Sequence, residues 1–424
     1  MAKIPLFMGE SGNSPTAPVT SYVGITNGPS SQLATETQTY LTYRFGGTLS
    51  GLLVVVSANT LTQTITMRSR VNVANGNQSV TFLTTVTGTA EDVTNSDTIA
   101  AGDEVAHQST VGGTGAITWR NVRYHFAATT NTAHSWGCFN VPTYTTASTT
   151  NYLPLNGNPA IDTTEANNQE SMEASGTLKN MCIAFRSNGS TNGTDVRSRV
   201  NGANGNIIVS VAGGVTTLSE DSSNSDSYVA GDLVNTSVTT STGTVSFRMG
   251  MLALGNETTN STFYIAATNR NVALSAGTTY YLQLGGSYGA TTTEALVSVA
   301  PGVAFTGSNM QCYVQADTVV GDSTMRTRIG GSNGNQVVTI TGLSTGKYED
   351  TSNSDSFTTT DLANYSLVTG AAGTSLTFGS YSMLGTIPVT SQIKTFLGLA
   401  NASTKVVDGL AIASLKTWAG LTNV

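Results

Sequence analysis

Short apolar runs punctuated by Gly, Asn and Ser recur along most of the chain. Leu52-Leu53-Val54-Val55-Val56, Val80-Thr81-Phe82-Leu83 and Ile207-Ile208-Val209-Ser210-Val211 are brief and β-branched, which predicts strands. Helical spacing of apolar positions is absent until the last stretch of sequence. Ala74-Asn75-Gly76-Asn77 lies between two strand patterns, and its Asn-Gly predicts a tight hairpin with positive φ. The density of strands, seven or eight per unit described below, predicts an all-β sandwich or jelly roll.

The pattern repeats with a period of 129 residues. Met67-Arg68-Ser69-Arg70 returns as Val196-Arg197-Ser198-Arg199 and Met325-Arg326-Thr327-Arg328. Asn75-Gly76-Asn77 returns at Asn204 and Asn333, and Thr35-Glu36 at Thr164-Glu165 and Thr293-Glu294. Repeats of this length are whole domains. The predicted organisation is three tandem β-sandwich units, residues 1–133, 134–262 and 263–391, that mimic a trimer within one polypeptide. The register holds from about Gly28 to Asp103 without insertions, although surface loops usually tolerate them. Copies in similar packed surroundings would account for that constraint.

Residues 392–424 follow a different rule. Lys394, Lys405 and Lys416 recur every eleven residues, as do Gly398, Gly409 and Gly420. An eleven-residue period suits a helix with a straight apolar stripe, and the glycines suit short helical turns with Gly caps, so a partly helical tail is predicted. Its apolar residues, including Ile393, Phe396, Leu399, Leu410, Leu415, Trp418 and Leu421, are too many for a free segment. The tail is therefore expected to dock on a neighbouring domain or chain.

Composition narrows the function. Only 10% of residues are charged, the net charge is −7, and no basic run is present, so no nucleic-acid partner is predicted. No apolar stretch is long enough for a transmembrane helix, and Met1 to Phe7 has no signal-type apolar core, so neither membrane insertion nor secretion is expected. Cys138, Cys182 and Cys312 are too few and too odd in number for a disulfide framework, and Cys182 and Cys312 lie at nearly the same repeat position in apolar runs, which predicts buried strand residues. Trp119, Tyr124-His125-Phe126, His134, Trp136 and Phe139 are candidates for a recognition loop after Asp103; packing in the core is the favoured reading.

Charged residues recur in fixed places. Glu36, Arg68, Arg70, Glu91, Asp92 and Asp97 return as Glu165, Arg197, Arg199, Glu220, Asp221 and Asp226, then as Glu294, Arg326, Arg328, Glu349, Asp350 and Asp355. Opposite charges at constant spacing predict an internal ion-pair network; recognition of an anionic glycan by the Arg pairs is the alternative. Asp92-x-x-Asn95-x-Asp97 offers oxygen atoms to calcium, but its spacing departs from the EF-hand loop and equally suits a turn. No metal or cofactor is predicted. His107, His125 and His134 lack repeat partners, and no nucleophile elbow, P-loop or zinc-binding His pair occurs, so the chain is not expected to be an enzyme.

Thr35-Glu36, Gly47-Thr48-Leu49-Ser50-Gly51-Leu52, Arg68-Ser69-Arg70, Glu91-Asp92-x-x-Asn95-Ser96-Asp97 and Ala101-Gly102-Asp103, in that order, resemble a jelly-roll-like repeat of tailed-bacteriophage virion proteins. The second copy keeps Ala230-Gly231-Asp232, whereas the third has Thr359-Thr360-Asp361. The tail, with Ile393-Lys394-Thr395-Phe396 and Leu415-Lys416-Thr417-Trp418, also looks like short repeats of phage structural proteins. The resemblance implies a non-enzymatic virion component assembled in the host cytoplasm, such as a capsid decoration or fibre-like protein. Its implied partners are other virion proteins, including the major capsid protein, or further copies of itself. A tail-fibre or cell-surface adhesin for a receptor or host surface glycan is the alternative.

Overall fold

The computed structural model describes residues 3–8, 19–25, 34–129, 133–139, 144–145, 149–155, 162–256, 262–268, 272–287 and 289–388, with six dipeptides of the tail. Two compact units are present, Met1–Thr386 and Ile387–Val424.

The first copy contains β1 (Ile4–Met8), β2 (Val19–Gly24), β3 (Leu41–Thr42), β4 (Gly47–Asn59), β5 (Ile65–Val71), β6 (Ala74–Phe82), β7 (Gly88–Ile99), β8 (Glu104–Val111) and β9 (Ile117–Ala128). They form two antiparallel sheets, β1-β9-β4-β7 and β2-β8-β5-β6, with β3 beside β8. This is the strand order of a jelly roll, in which connections pass back and forth between the sheets. The second stretch repeats both sheets, with Gly176–Asn188 in the place of β4 and Thr194–Val200 in that of β5. The third does so again with Phe305–Val320 and Ser323–Ile329. The only helical elements among the described residues are three 3-10 turns, at Glu36–Gln38, Glu165–Asn168 and Glu294–Leu296.

Alternating positions fill the space between the sheets, as period-two side-chain geometry requires. In the first copy Leu49, Leu52, Val54, Trp119, Val122 and Phe126 of one sheet meet Ile65, Met67, Val80, Val105 and Val111 of the other. Trp119, Tyr124, His125 and Phe126 are buried, which is the packing role favoured for them. His134, Trp136, Cys138 and Phe139 lie on strand Ala133–Phe139, whose side chains are outside the described residues. The region after Asp103 is not a set of recognition loops: β8 and β9 run through the interior of their sheets.

The hairpin between β5 and β6 lies three residues earlier than the sequence suggests. Val71 pairs with Ala74, so Asn72 and Val73 form the two-residue turn, with φ of 49° and 69°. Asn201-Gly202 and Gly330-Gly331 occupy the same place. Gly76 sits instead within β6, where the ladder slips past Ser69, and a Cβ there would overlap the Ser69 hydroxyl and come within 2.8 Å of the Asp97 carboxylate. Close approach, not backbone hand, requires this glycine. Val73 is the residue under backbone strain, since a β-branched side chain in the left-handed region costs about 1–2 kcal/mol. Val73→Gly is therefore expected to raise stability by about 1 kcal/mol, read by chemical denaturation; an unchanged midpoint would remove strain from the account.

In the tail, Phe396 pairs with Leu399, Val407 with Leu410 and Trp418 with Leu421, each in a two-residue antiparallel ladder. The eleven-residue period thus appears as three small strand pairs rather than helical turns. Ladder pairing of residues three apart is incompatible with helical backbone. Ile393 and Leu415 lie outside the described residues, as do the side chains of Phe396, Leu399, Leu410, Trp418 and Leu421.

Candidate functional site

The recurring charges divide into three groups with separate tasks. Arg70 on β5 grips Glu36 of the 3-10 turn with two parallel bonds, Nε to Oε1 at 2.8 Å and Nη2 to Oε2 at 2.8 Å. It also donates to Asn75 Oδ1 and the Val73 carbonyl, locking the hairpin turn. Arg199–Glu165 and Arg328–Glu294 repeat the fork. Its bidentate geometry uses the planar guanidinium, which lysine lacks. Arg68, Arg197 and Arg326 do not join: among the described residues they form no ion pair, although each lies two residues from a paired Arg.

Asp92 and Asp97 pair with no arginine either. Asp97 accepts bonds from Ser69 Oγ, the Asn77 amide and Gln78 Nε2, while Asp92 accepts from the amides of Ser79 at 2.9 Å and Asn95 at 3.0 Å. Asp221 and Asp350 bind the amides of Ile208 and Val337 in the same way, and Asp226 and Asp355 those of Asn206 and Asn335. Because β6 and β7 are edge strands of opposite sheets, these carboxylates stitch the open side of each sandwich and occupy backbone donors left by the ladder. Burial alone would raise the Asp92 carboxyl, but the Ser79 amide and the Asn95 side chain and amide hold it at about 2, and Asp221 is held at about 2 likewise. Folded values below the ordinary one mean this contribution is present above about pH 4 and lost as pH falls through about 2. The bonds to Asp92 come from N–H groups and the Thr94 hydroxyl, all donors, which makes the segment a hydrogen-bonded turn rather than a cage of oxygen ligands. The described residues hold no group of three His, Cys, Asp or Glu suited to a metal.

Glu91, Glu220 and Glu349 form the third group, and they mark junctions between copies. Arg44, just after β3, pairs with Glu220 of the second copy, beside Cys182, which packs into the apolar cluster of the first. One period later, the Ser171 carbonyl receives Gln311 Nε2 of the third copy, Ser171 Oγ receives Lys347 Nζ at 3.0 Å, and Gln315 Nε2 donates to the Asn167 carbonyl at 2.7 Å. Lys347 itself pairs with Glu349. One period later still, the Ala300 carbonyl receives Arg123 Nη1 of the first copy at 2.6 Å, and His125 Nε2 lies 2.9 Å from the Pro301 carbonyl. Arg123 also pairs with Glu91.

Thr42, Ser171 and Ala300 hold one repeat position, and Leu53, Cys182 and Gln311 another. Each copy therefore docks the same loop on the same face of the next, from first to second, second to third and third back to first. Heterologous contacts that return to their start form a closed ring. The incoming residue differs at every step, with Arg44, Glu173 and Gly302 at equivalent positions. A side chain at Gly302 would come within 2.5 Å of the His125 ring, so this loop fits the first copy only without one.

Two junctions enclose titratable groups. Burial pushes the Glu173 carboxyl up to about 8; Lys347 pulls it down and Glu349 pushes it up. Its Oε1 is buried without a hydrogen-bond partner. Burial, with Arg123 close by, holds His125 down at about 3, so the ring is neutral and its Nε2–H donates to Pro301. A carboxyl raised in the folded state stabilises below its ordinary 4.5 and loses that contribution as pH rises to about 8. Glu173→Gln is expected to match the native protein at pH 4–5 and to exceed it above pH 8 by on the order of 2 kcal/mol, seen as a widening difference in Tm. Parallel Tm curves across that range would rule it out.

Arg44, Arg123, Glu173 and Gln311 escape sequence reasoning because repeat matching selects identical residues, and these, like His125, which the sequence offers only as a recognition-loop or core residue, occupy repeat positions where the copies differ. Their signal is that difference. No protein-family model matches the chain, and no curated protein matches it.

Proposed function

We propose that the chain is a non-enzymatic structural subunit of a bacteriophage virion, a capsid decoration or fibre-like surface component held by multivalent contacts. The observation that carries this reading is the closed ring of three jelly rolls in one polypeptide. A ring of separate subunits dissociates on dilution, whereas a covalent one keeps its three faces together at any concentration. Three linked weak sites then bind at high effective concentration. Largely neutral, Thr-, Ser- and Asn-rich composition agrees with a protein that meets neighbours over broad polar surfaces. In this reading residues 392–424 anchor the ring to another virion protein.

Cryo-EM of intact particles is the test. Density for three related jelly rolls at a fixed stoichiometry, lost when residues 392–424 are deleted, is the expected result. Particles without the chain, together with specific binding on a glycan array, would replace this reading by the adhesin.

A further inference from the structure

Seven ionic positions are the same in all three copies between residues 34 and 103, and six have work within the fold. Glu36 and Arg70 hold each other, Glu91 serves a junction or its rim, Asp92 and Asp97 stitch the sandwich edge, and Asp103 caps the Ala100 amide at 2.7 Å. The seventh is Arg68, with Arg197 and Arg326. Each is half-exposed on the outer face of the sheet that holds β5 or its counterpart, in a row that is built alike every time. Arg68 stands between Ser79 and Gln108, Arg197 between Ile208 and Ser237, and Arg326 between Val337 and Ser366. Tyr22, Tyr152 and Tyr281 close the rows.

We propose that Arg68, Arg197 and Arg326 form a three-point docking surface for an acidic partner protein that presents carboxylates with matching threefold spacing. The three junctions use equivalent positions, so one rotation relates the copies and sets the three guanidiniums at the same height and radius about its axis. Charge complementarity selects the partner, because a guanidinium outside any ion pair is matched by a carboxylate in planar, bidentate fashion. An acidic sugar is less well suited. Sugar recognition uses the open face of an aromatic ring, and here the guanidiniums of Arg70, Arg199 and Arg328 already lie over Tyr22, Tyr152 and Tyr281, at 6.0, 5.5 and 5.9 Å from the ring centres.

This inference rests on the multivalent virion reading but is tested apart from it. The probe is immobilised poly-L-glutamate at low ionic strength, with polysialic acid as the carboxylate-bearing sugar control. The full chain is expected to bind poly-L-glutamate in spite of its net charge of −7. Each of Arg68→Gln, Arg197→Gln and Arg326→Gln should weaken binding by about 3-fold, and the triple variant by about 30-fold, with Tm unchanged. No binding by the native chain, or equal binding by a triple variant of native Tm, overturns the proposal. Preference for polysialic acid also overturns it, in favour of a glycan. Absence of the chain from virions would leave the poly-L-glutamate result standing, so the two readings fail separately.

Discussion

Replacing Arg70 by Ala is expected to destabilise the first copy by about 3–5 kcal/mol, because it strands a buried Glu36 carboxylate. The three copies supply their own controls. Side-chain exposure of the Arg and Glu partners is 10% and 8% for Arg70–Glu36, 12% and 17% for Arg199–Glu165, and 15% and 22% for Arg328–Glu294. Water reaches the stranded carboxylate more easily in that order. Arg70→Ala should therefore cost most and Arg328→Ala least, as measured by hydrogen exchange of the hairpin that follows each arginine. Arg70→Lys should recover little, since one ammonium group cannot replace the fork. Equal losses in all three copies would mean that burial does not set the cost.

Arg123→Ala is the second large effect, and it acts on the ring. The side chain is fully buried and bonds the Ala300 carbonyl, the Gly51 carbonyl at 3.1 Å and Glu91. Its removal leaves two carbonyl oxygens and a carboxylate facing a cavity, a loss of about 3–5 kcal/mol. That loss falls on the junction between copies that are not consecutive in sequence, the one junction where a linker does not keep the partners close. Residues 299–303 should lose protection from hydrogen exchange, while the Ser171–Gln311 junction keeps its own. Unaltered protection of 299–303 would show that the ring closes without Arg123.

These expectations start from features of unequal legibility. Strand character was readable wherever β-branched runs alternate, and the jelly-roll order of both sheets agrees with it. The Arg70–Glu36 fork was readable as a recurring charge pair. Arg68 was grouped with it because residues two apart share a face of a strand, but only Arg70 lies under the 3-10 turn that carries Glu36. The constant spacing of opposite charges points Asp92 and Asp97 at arginines, whereas their bonds are to backbone amides and to neutral side chains, Thr94 and Asn95 for Asp92 and Ser69 and Gln78 for Asp97, which charge patterning does not reveal. Asn75-Gly76 reads as the hairpin because Asn-Gly favours positive φ, yet the turn is Asn72-Val73. Gly76 is needed for the Asp97 carboxylate and the Ser69 hydroxyl, which belong to other strands.

What the sequence determined by itself is the period: one β body repeated three times, with its strands, its forked ion pair and its fixed spacings, because local propensity and repetition are written residue by residue. Only the tertiary structure decided that the copies close into a ring, and which residues close it. Arg44, Glu173 and Gly302 are unlike one another, and each meets a different surface, Arg44 a carboxylate at Glu220 and Gly302 the His125 ring. That surface belongs to a strand far away in the chain, and only folding brings the two together.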